Sequence, residues 1–279
     1  MKKYLLIAAI LCIPIAAFGW GIGLVGGGGG GFSDPCSGGS PVDPGDQMCE
    51  SFEGSNNPGT GCTDSRWTER DDGANCVITY SASHPGTFDC AGKGDEATTF
   101  AIASSSSNSC GLYIDNALSM TDYWVEFSFY FTGVSGNADT ETVDLFITRN
   151  DTSDEILLRL YFDDPNFVLY LYHKDEVGNS ETTTSPTIVA NTWYRVKLWH
   201  DAGCGSNGAG DEDCIQWWLA TNDGAYSEIE ITDDSVRSGT TTDAIIAEGW
   251  LDDPQFAVTL TVDNLIIDDD TEPSVCDGS

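Results

Sequence analysis

Tyr123-Trp124-Val125-Glu126-Phe127-Ser128-Phe129-Tyr130-Phe131 decides the fold. Tyr123, Val125, Phe127, Phe129 and Phe131 fall on one side of an extended chain, and Trp124, Glu126, Ser128 and Tyr130 on the other. A period of two marks a strand with one face in a core; a helix would scatter these rings around its circumference. The same alternation recurs along the chain. Glu155–Phe162 sets Ile156, Leu158, Leu160 and Phe162 against Leu157, Arg159 and Tyr161, and Val143–Thr148 sets Val143, Leu145 and Ile147 against Asp144, Phe146 and Thr148. In Trp193–Trp199, Val196 and Leu198 look inward while Arg195, Lys197 and Trp199 look outward. Gly/Asn/Asp/Ser turns separate these runs, no repeat of fixed period occurs, and the one short helical candidate, Asp243–Trp250, makes barely two turns. The spacing predicts an all-β sandwich.

The chain begins with a different grammar. Lys2 and Lys3 precede an apolar run, Leu5–Ala17, and Ala17-Phe18-Gly19 puts small residues at the spacing of a signal cleavage site. Residues 1–19 therefore read as an export signal, cleaved after Gly19, because Pro14 and the following glycines interrupt the run before it reaches the length of an anchor. Residues 20–48, with six consecutive glycines at 26–31, read as a flexible linker, and residues 49–279 as one domain. The formal net charge is −34, which argues against nucleic acid and anionic membrane surfaces as partners, since both are held by Lys/Arg clusters.

Ten cysteines suit an exported chain. Cys12 leaves with the leader, so an odd number stays behind and one is left over for a free thiol or a bond between chains. Spacing favours the local pairs Cys204–Cys214, Cys62–Cys76 and Cys90–Cys110, with Cys276 joining Cys49 or Cys36. No CxxC pair supports a zinc site.

The outward faces of the strands carry the functional signal. Each mixes an aromatic ring with a charged or hydroxyl residue, whereas a plain solvent face is poorer in Trp and Tyr. A sugar ring offers C–H groups that stack on an aromatic face and hydroxyls that pair with carboxylate and guanidinium. Trp124, Glu126, Tyr130, Asp144, Arg159, Tyr161, Arg195 and Trp199 are the expected carbohydrate-binding set, lining one face together.

Three further motifs carry a family likeness: Ser51-Phe52-Glu53-Gly54, the strand Trp193–Leu198, and Val262-Asp263-Asn264-Leu265-Ile266-Ile267-Asp268. Over roughly Cys49–Asp270 the chain resembles the concanavalin A-like (laminin G-like) jelly rolls. The resemblance implies two antiparallel sheets, adjacent first and last strands, and a concave face that often carries sugar sites. It also implies Ca²⁺ where the ends meet, with Glu53 and Asp263 as ligands and main-chain carbonyls completing the shell. A weaker calcium candidate is the loop Asp201–Asp213.

Glucanases and alginate lyases share this fold, but their motifs are missing. Glu141-Thr142-Val143-Asp144-Leu145-Phe146 lacks the third carboxylate of the glucanase strand, and Glu141 and Asp144 face opposite sides of a regular strand. A cross-strand pair such as Glu126 with Asp144 is the remaining route to two facing carboxylates. His173 and His200 read as strand-end residues rather than catalysts. The expected function is that of a secreted or surface-displayed, non-catalytic binder of extracellular polysaccharide or cell-surface glycan, with no membrane insertion once the leader is cleaved. A self-associating structural or adhesive protein is the first alternative, and a polysaccharide hydrolase or lyase with an atypical site the second.

Overall fold

The computed structural model describes residues 46–50, 67–70, 76–85, 96–103, 110–115, 118–135, 141–150, 153–163, 166–175, 178–202, 214–222, 224–231, 236, 239–250, 257–268 and 272. These residues form two antiparallel sheets and no helix. The larger sheet runs β13 (Ser227–Glu228), β12 (Ile215–Thr221), β11 (Trp193–Asp201), β6 (Asp122–Ser135), β15 (Ala257–Asp268), β4 (Glu96–Ala103) and β3 (Cys76–Ser83). Strand β1 (Asp46–Glu50) also pairs with β15, beyond the end of β4. The smaller sheet runs β10 (Ser180–Thr184), β9 (Asn166–Lys174), β8 (Ser153–Asp163), β7 (Glu141–Asn150), β14 (Asp243–Trp250), β5 (Gly111–Ile114) and β2 (Thr68–Arg70). First and last strands are neighbours, with Cys49 opposite Ile266. Strand β1 starts at Asp46, inside the stretch read as linker.

Period-two patterning places the core between the sheets. Val125, Phe127, Phe129 and Phe131 of β6 meet Val143, Leu145 and Phe146 of β7 and Leu158, Leu160 and Phe162 of β8, all at most 2% exposed. Full burial of each such side chain contributes about 1.5–3 kcal/mol.

Three expectations are corrected. Asp243–Trp250 is strand β14 in the middle of the smaller sheet, because Ala244, Ile246 and Ala247 fill the core and tertiary packing overrides a short helical period. In β7 the register slips between Asp144 and Phe146, so Leu145 and Phe146 both enter the main core. Ile147 is thereby turned to the outer face, where it packs with Tyr113 and Ile245. The third correction concerns the disulfides: Cys76 bonds Cys110, with Cα atoms 5.4 Å apart, which overturns both Cys62–Cys76 and Cys90–Cys110. Local spacing misleads because the chain changes sheets between β4 and β5, so the bond ties an edge strand of the larger sheet to the start of β5 in the smaller one. Cys214 is also disulfide-bonded, and the remaining proposed pairings involve residues outside the described set.

The histidines stand where the sequence puts them. His173 and His200 stand next to strand ends and are 2% and 3% exposed. His200 packs against Tyr123 at 5.0 Å between ring centroids, and its Nδ1 has no hydrogen-bond partner. Burial, reinforced by His173, pushes the His200 imidazole down from 6.5 to about 3. An unfolded chain takes up this proton at higher pH than the folded one, so folding draws full benefit above about pH 6.5 and loses it as pH falls from 6.5 towards 3. The variant His200→Phe is expected to flatten the acid limb of stability in that window when unfolding free energies are measured across pH by denaturant titration. An unchanged slope would remove His200 from the account.

Candidate functional site

Outward-facing residues sort by sheet, and this divides the expected carbohydrate set. Trp124, Glu126, Tyr130, Arg195 and Trp199 lie on β6 and β11 of the larger sheet, whereas Asp144, Arg159 and Tyr161 lie on β7 and β8 of the smaller one. The outer faces of a sandwich look in opposite directions, so the eight residues do not line one surface, and Glu126 and Asp144 cannot act as a facing pair. Alternation separates core from outside, but it does not say to which sheet a strand belongs.

On the larger sheet, antiparallel register sets Trp199 opposite Trp124, Lys197 opposite Glu126, Arg195 opposite Ser128, and Trp193 opposite Tyr130. Trp218 of β12 lies opposite Lys197. Three half-buried indoles thus meet across three strands: Trp124 stacks on Trp218 at 5.8 Å and lies 6.1 Å from Trp199.

Beside the indoles the strands carry a compact charged floor. Glu126 is 1% exposed; it accepts the Tyr226 hydroxyl at 2.5 Å, and Lys197 Nζ stands 3.8 Å away. Lys197 also donates to Glu272 at 2.9 Å. Arg195 donates from Nε and an Nη to the carbonyls of Asn222 and Gly224, both at 2.6 Å. Its guanidinium lies 4.6 Å and the Lys197 ammonium 4.8 Å from the centre of the Tyr226 ring. The segment after β12 is therefore folded over the sheet, with Tyr226 as its anchor, and Glu126 and Arg195 support the face from below. Among the sequence candidates on this sheet, Trp124 and Trp199 are the two that remain open to a ligand.

The other end of the face is closed. Tyr130 packs on Trp193 at 5.5 Å, Trp193 Nε1 donates to the Pro85 carbonyl at 2.8 Å, and His84 sets its ring edge-on to Trp193 at 5.5 Å. Asp263, 1% exposed, accepts His84 Nε2 at 2.9 Å together with the Asn264 backbone N–H and side-chain amide at 2.7 and 2.8 Å. Asn264 has a positive φ of 51° at the register shift between Asp263 and Ile266. These described neighbours of Asp263 are nitrogen groups. Glu53 and most of the loop Asp201–Asp213 lie outside the described residues. No group of three or more metal-ligating side chains occurs among the described residues.

On the smaller sheet, Arg159 grips Asp144 with two bonds of 2.5 and 3.1 Å. Burial works against the guanidinium charge, but the Asp144 carboxylate outweighs it and holds the Arg159 pKa above its ordinary value. Tyr161, Tyr170 and Tyr172 form a row beside this pair, with centroids 5.1 and 5.9 Å apart.

The doublet Trp217-Trp218 puts one indole on each face of a strand, and Trp217 is the buried one and Trp218 the outer one; Tyr226, Tyr170 and Tyr172 were absent from the sequence-derived site. Tyr170 and Tyr172 were findable, since they alternate with Leu169 and Leu171 on β9; Tyr226 stands outside any strand, where periodicity carries no signal.

No protein-family model and no curated protein sequence matches the chain. Solved structures do. Aly36B, an alginate lyase solved as a mutant with alginate tetrasaccharide, is 12% identical with a TM-score of 0.52, over 84% of this chain and all of that one. Cellulose induced protein, Cip1, is 12% identical with a TM-score of 0.50, over 79% of this chain and 96% of that one. The binding domain of botulinum neurotoxin serotype G is 10% identical with a TM-score of 0.49; it aligns with 82% of this chain, which spans about half (49%) of that domain. The fold is a jelly-roll sandwich.

Tyr226→Phe deletes the hydroxyl that Glu126 accepts and leaves a buried carboxylate short of a donor. It is expected to destabilise the protein by about 1–3 kcal/mol in urea unfolding at pH 7. A change below a few tenths of a kcal/mol would show that the segment holds no such anchor.

Proposed function

We propose that the chain is an exported, non-catalytic carbohydrate-binding protein of concanavalin A-like jelly-roll type. It holds an uncharged extracellular polysaccharide on the outer face of the larger sheet. The observation that supports this reading is the joined platform of Trp124, Trp199 and Trp218 beside a floor of paired charges. Indole faces stack against the C–H side of pyranose rings, and the rim offers Gln216 and the exposed Glu272 to hydroxyls. Charge selects among glycans. Lys197 is neutralised by Glu126 and Glu272, and a chain with a formal charge of −34 repels acidic polymers at long range. Export agrees with the leader-like residues 1–19 and with the Cys76–Cys110 bond, which persists in oxidising compartments.

One observation favours a second reading, cleavage of polysaccharide on the same face. Lys197 and Tyr226 stand together over Glu126, and Lys197 Nζ lies between two carboxylates. Release of reducing ends or unsaturated products from a bound polysaccharide would select this reading.

For binding, Trp199→Ala and Trp218→Ala are each expected to weaken retention on a responsive uncharged polysaccharide about tenfold, or about 1.4 kcal/mol. Melting temperature should fall much less than on truncating the fully buried Trp217, because both rings are partly exposed. Loss of stability in step with affinity would make the indoles packing residues and defeat the assignment.

A further inference from the structure

The smaller sheet carries a second aromatic row, on the side of the sandwich opposite the indoles. Tyr161 of β8 meets Tyr170 of β9 edge-on, and Tyr170 continues to Tyr172; all three are half-buried. Exposed Thr182 and Thr184 of β10 sit opposite Tyr172 and Tyr170 and border the row with hydroxyls.

The described charges beside this row are paired, as they are beside the indoles. Arg159 is paired with Asp144 and Arg149 with Glu248, while Lys174 donates to Ser180 at 2.6 Å. Among the described residues, the guanidinium that reaches the row is that of Arg159, 5.5 Å from the centre of the Tyr172 ring, and its charge is matched by Asp144, in a chain whose formal charge is −34. Cross-strand tyrosines also stabilise sheets, but that role calls for no local charge balance. A balanced, hydroxyl-edged row of rings matches an uncharged sugar polymer and does not match a cationic one.

We infer that the Tyr161–Tyr170–Tyr172 row is a second polysaccharide site, which makes a single chain bivalent and able to join two polymer strands. The inference rests on the binding function proposed above and extends it from one face to both. Two sites looking in opposite directions cannot easily engage one stretch of one stiff polymer, so the second site links chains rather than strengthening grip on one.

The test uses the full mature chain with xyloglucan, galactomannan and laminarin as uncharged probes and alginate as the charged control. Titration calorimetry with oligosaccharides of the responsive polymer counts sites per chain, and light scattering with the intact polymer reads joining. Wild type should show two sites and enlarged polymer complexes. Tyr170→Ala/Tyr172→Ala should show one site and bind without joining. Thr182→Glu/Thr184→Glu should do the same while leaving every ring in place, which guards against a misfolded tyrosine variant. One site in wild type, or undiminished joining by both variants, would overturn the inference. Joining that tracks protein dimerisation in the absence of glycan would overturn it too, and alginate joined as readily as the uncharged probes would contradict the charge argument. The two proposals fail separately. A Trp199→Ala/Trp218→Ala variant that keeps both sites overturns the indole assignment alone, whereas no binding of any probe by wild type overturns both.

Discussion

The strand β6 constrains everything else. Its period of two sends Val125, Phe127, Phe129 and Phe131 into the core and so turns Trp124, Glu126, Ser128 and Tyr130 to the outside. Because β6 lies between β11 and β15, those four residues become the centre of a face rather than its margin. Packing the aromatic core and presenting the indole platform are one geometric event. A one-residue slip of β6 would expose the phenylalanines and bury the platform together.

The face is then specialised from its two ends. Near Trp193, His84 and Pro85 close it, with Asp263 held by three nitrogen donors. Near Trp218, the Tyr226 segment roofs Glu126 and Arg195 but leaves three indoles only half-buried. Buried charges are tolerated because each has a described partner: Glu126 has a phenol and an ammonium, and Arg195 has two carbonyls. That pairing makes the floor rigid and electrically quiet, which suits a ligand recognised by stacking.

Most of the architecture was legible in the sequence. The core faces of β6, β8 and β11, the adjacency of first and last strands and the sandwich itself follow from alternation and from the resemblance of the chain's two ends. What escaped depended on partners. The bulge after Asp144 breaks a pattern that looks regular in sequence, and it redirects Ile147. The Cys76–Cys110 bond crosses between sheets, which spacing along the chain does not show. The site fared similarly: the aromatic composition of the outer faces was plain, and their division between two sheets was not. Arg159 and Trp199 share a parity without sharing a face.

The central claim is that the indole platform meets the polysaccharide, and indole N–H resonances report it directly. In a proton–nitrogen NMR titration with an oligosaccharide of a retained polymer, the signals of Trp124, Trp199 and Trp218 should shift together and saturate. Those of Trp193 and Trp217, each at most 1% exposed, should stay in place. Saturable binding that leaves the three platform signals unmoved would contradict the account.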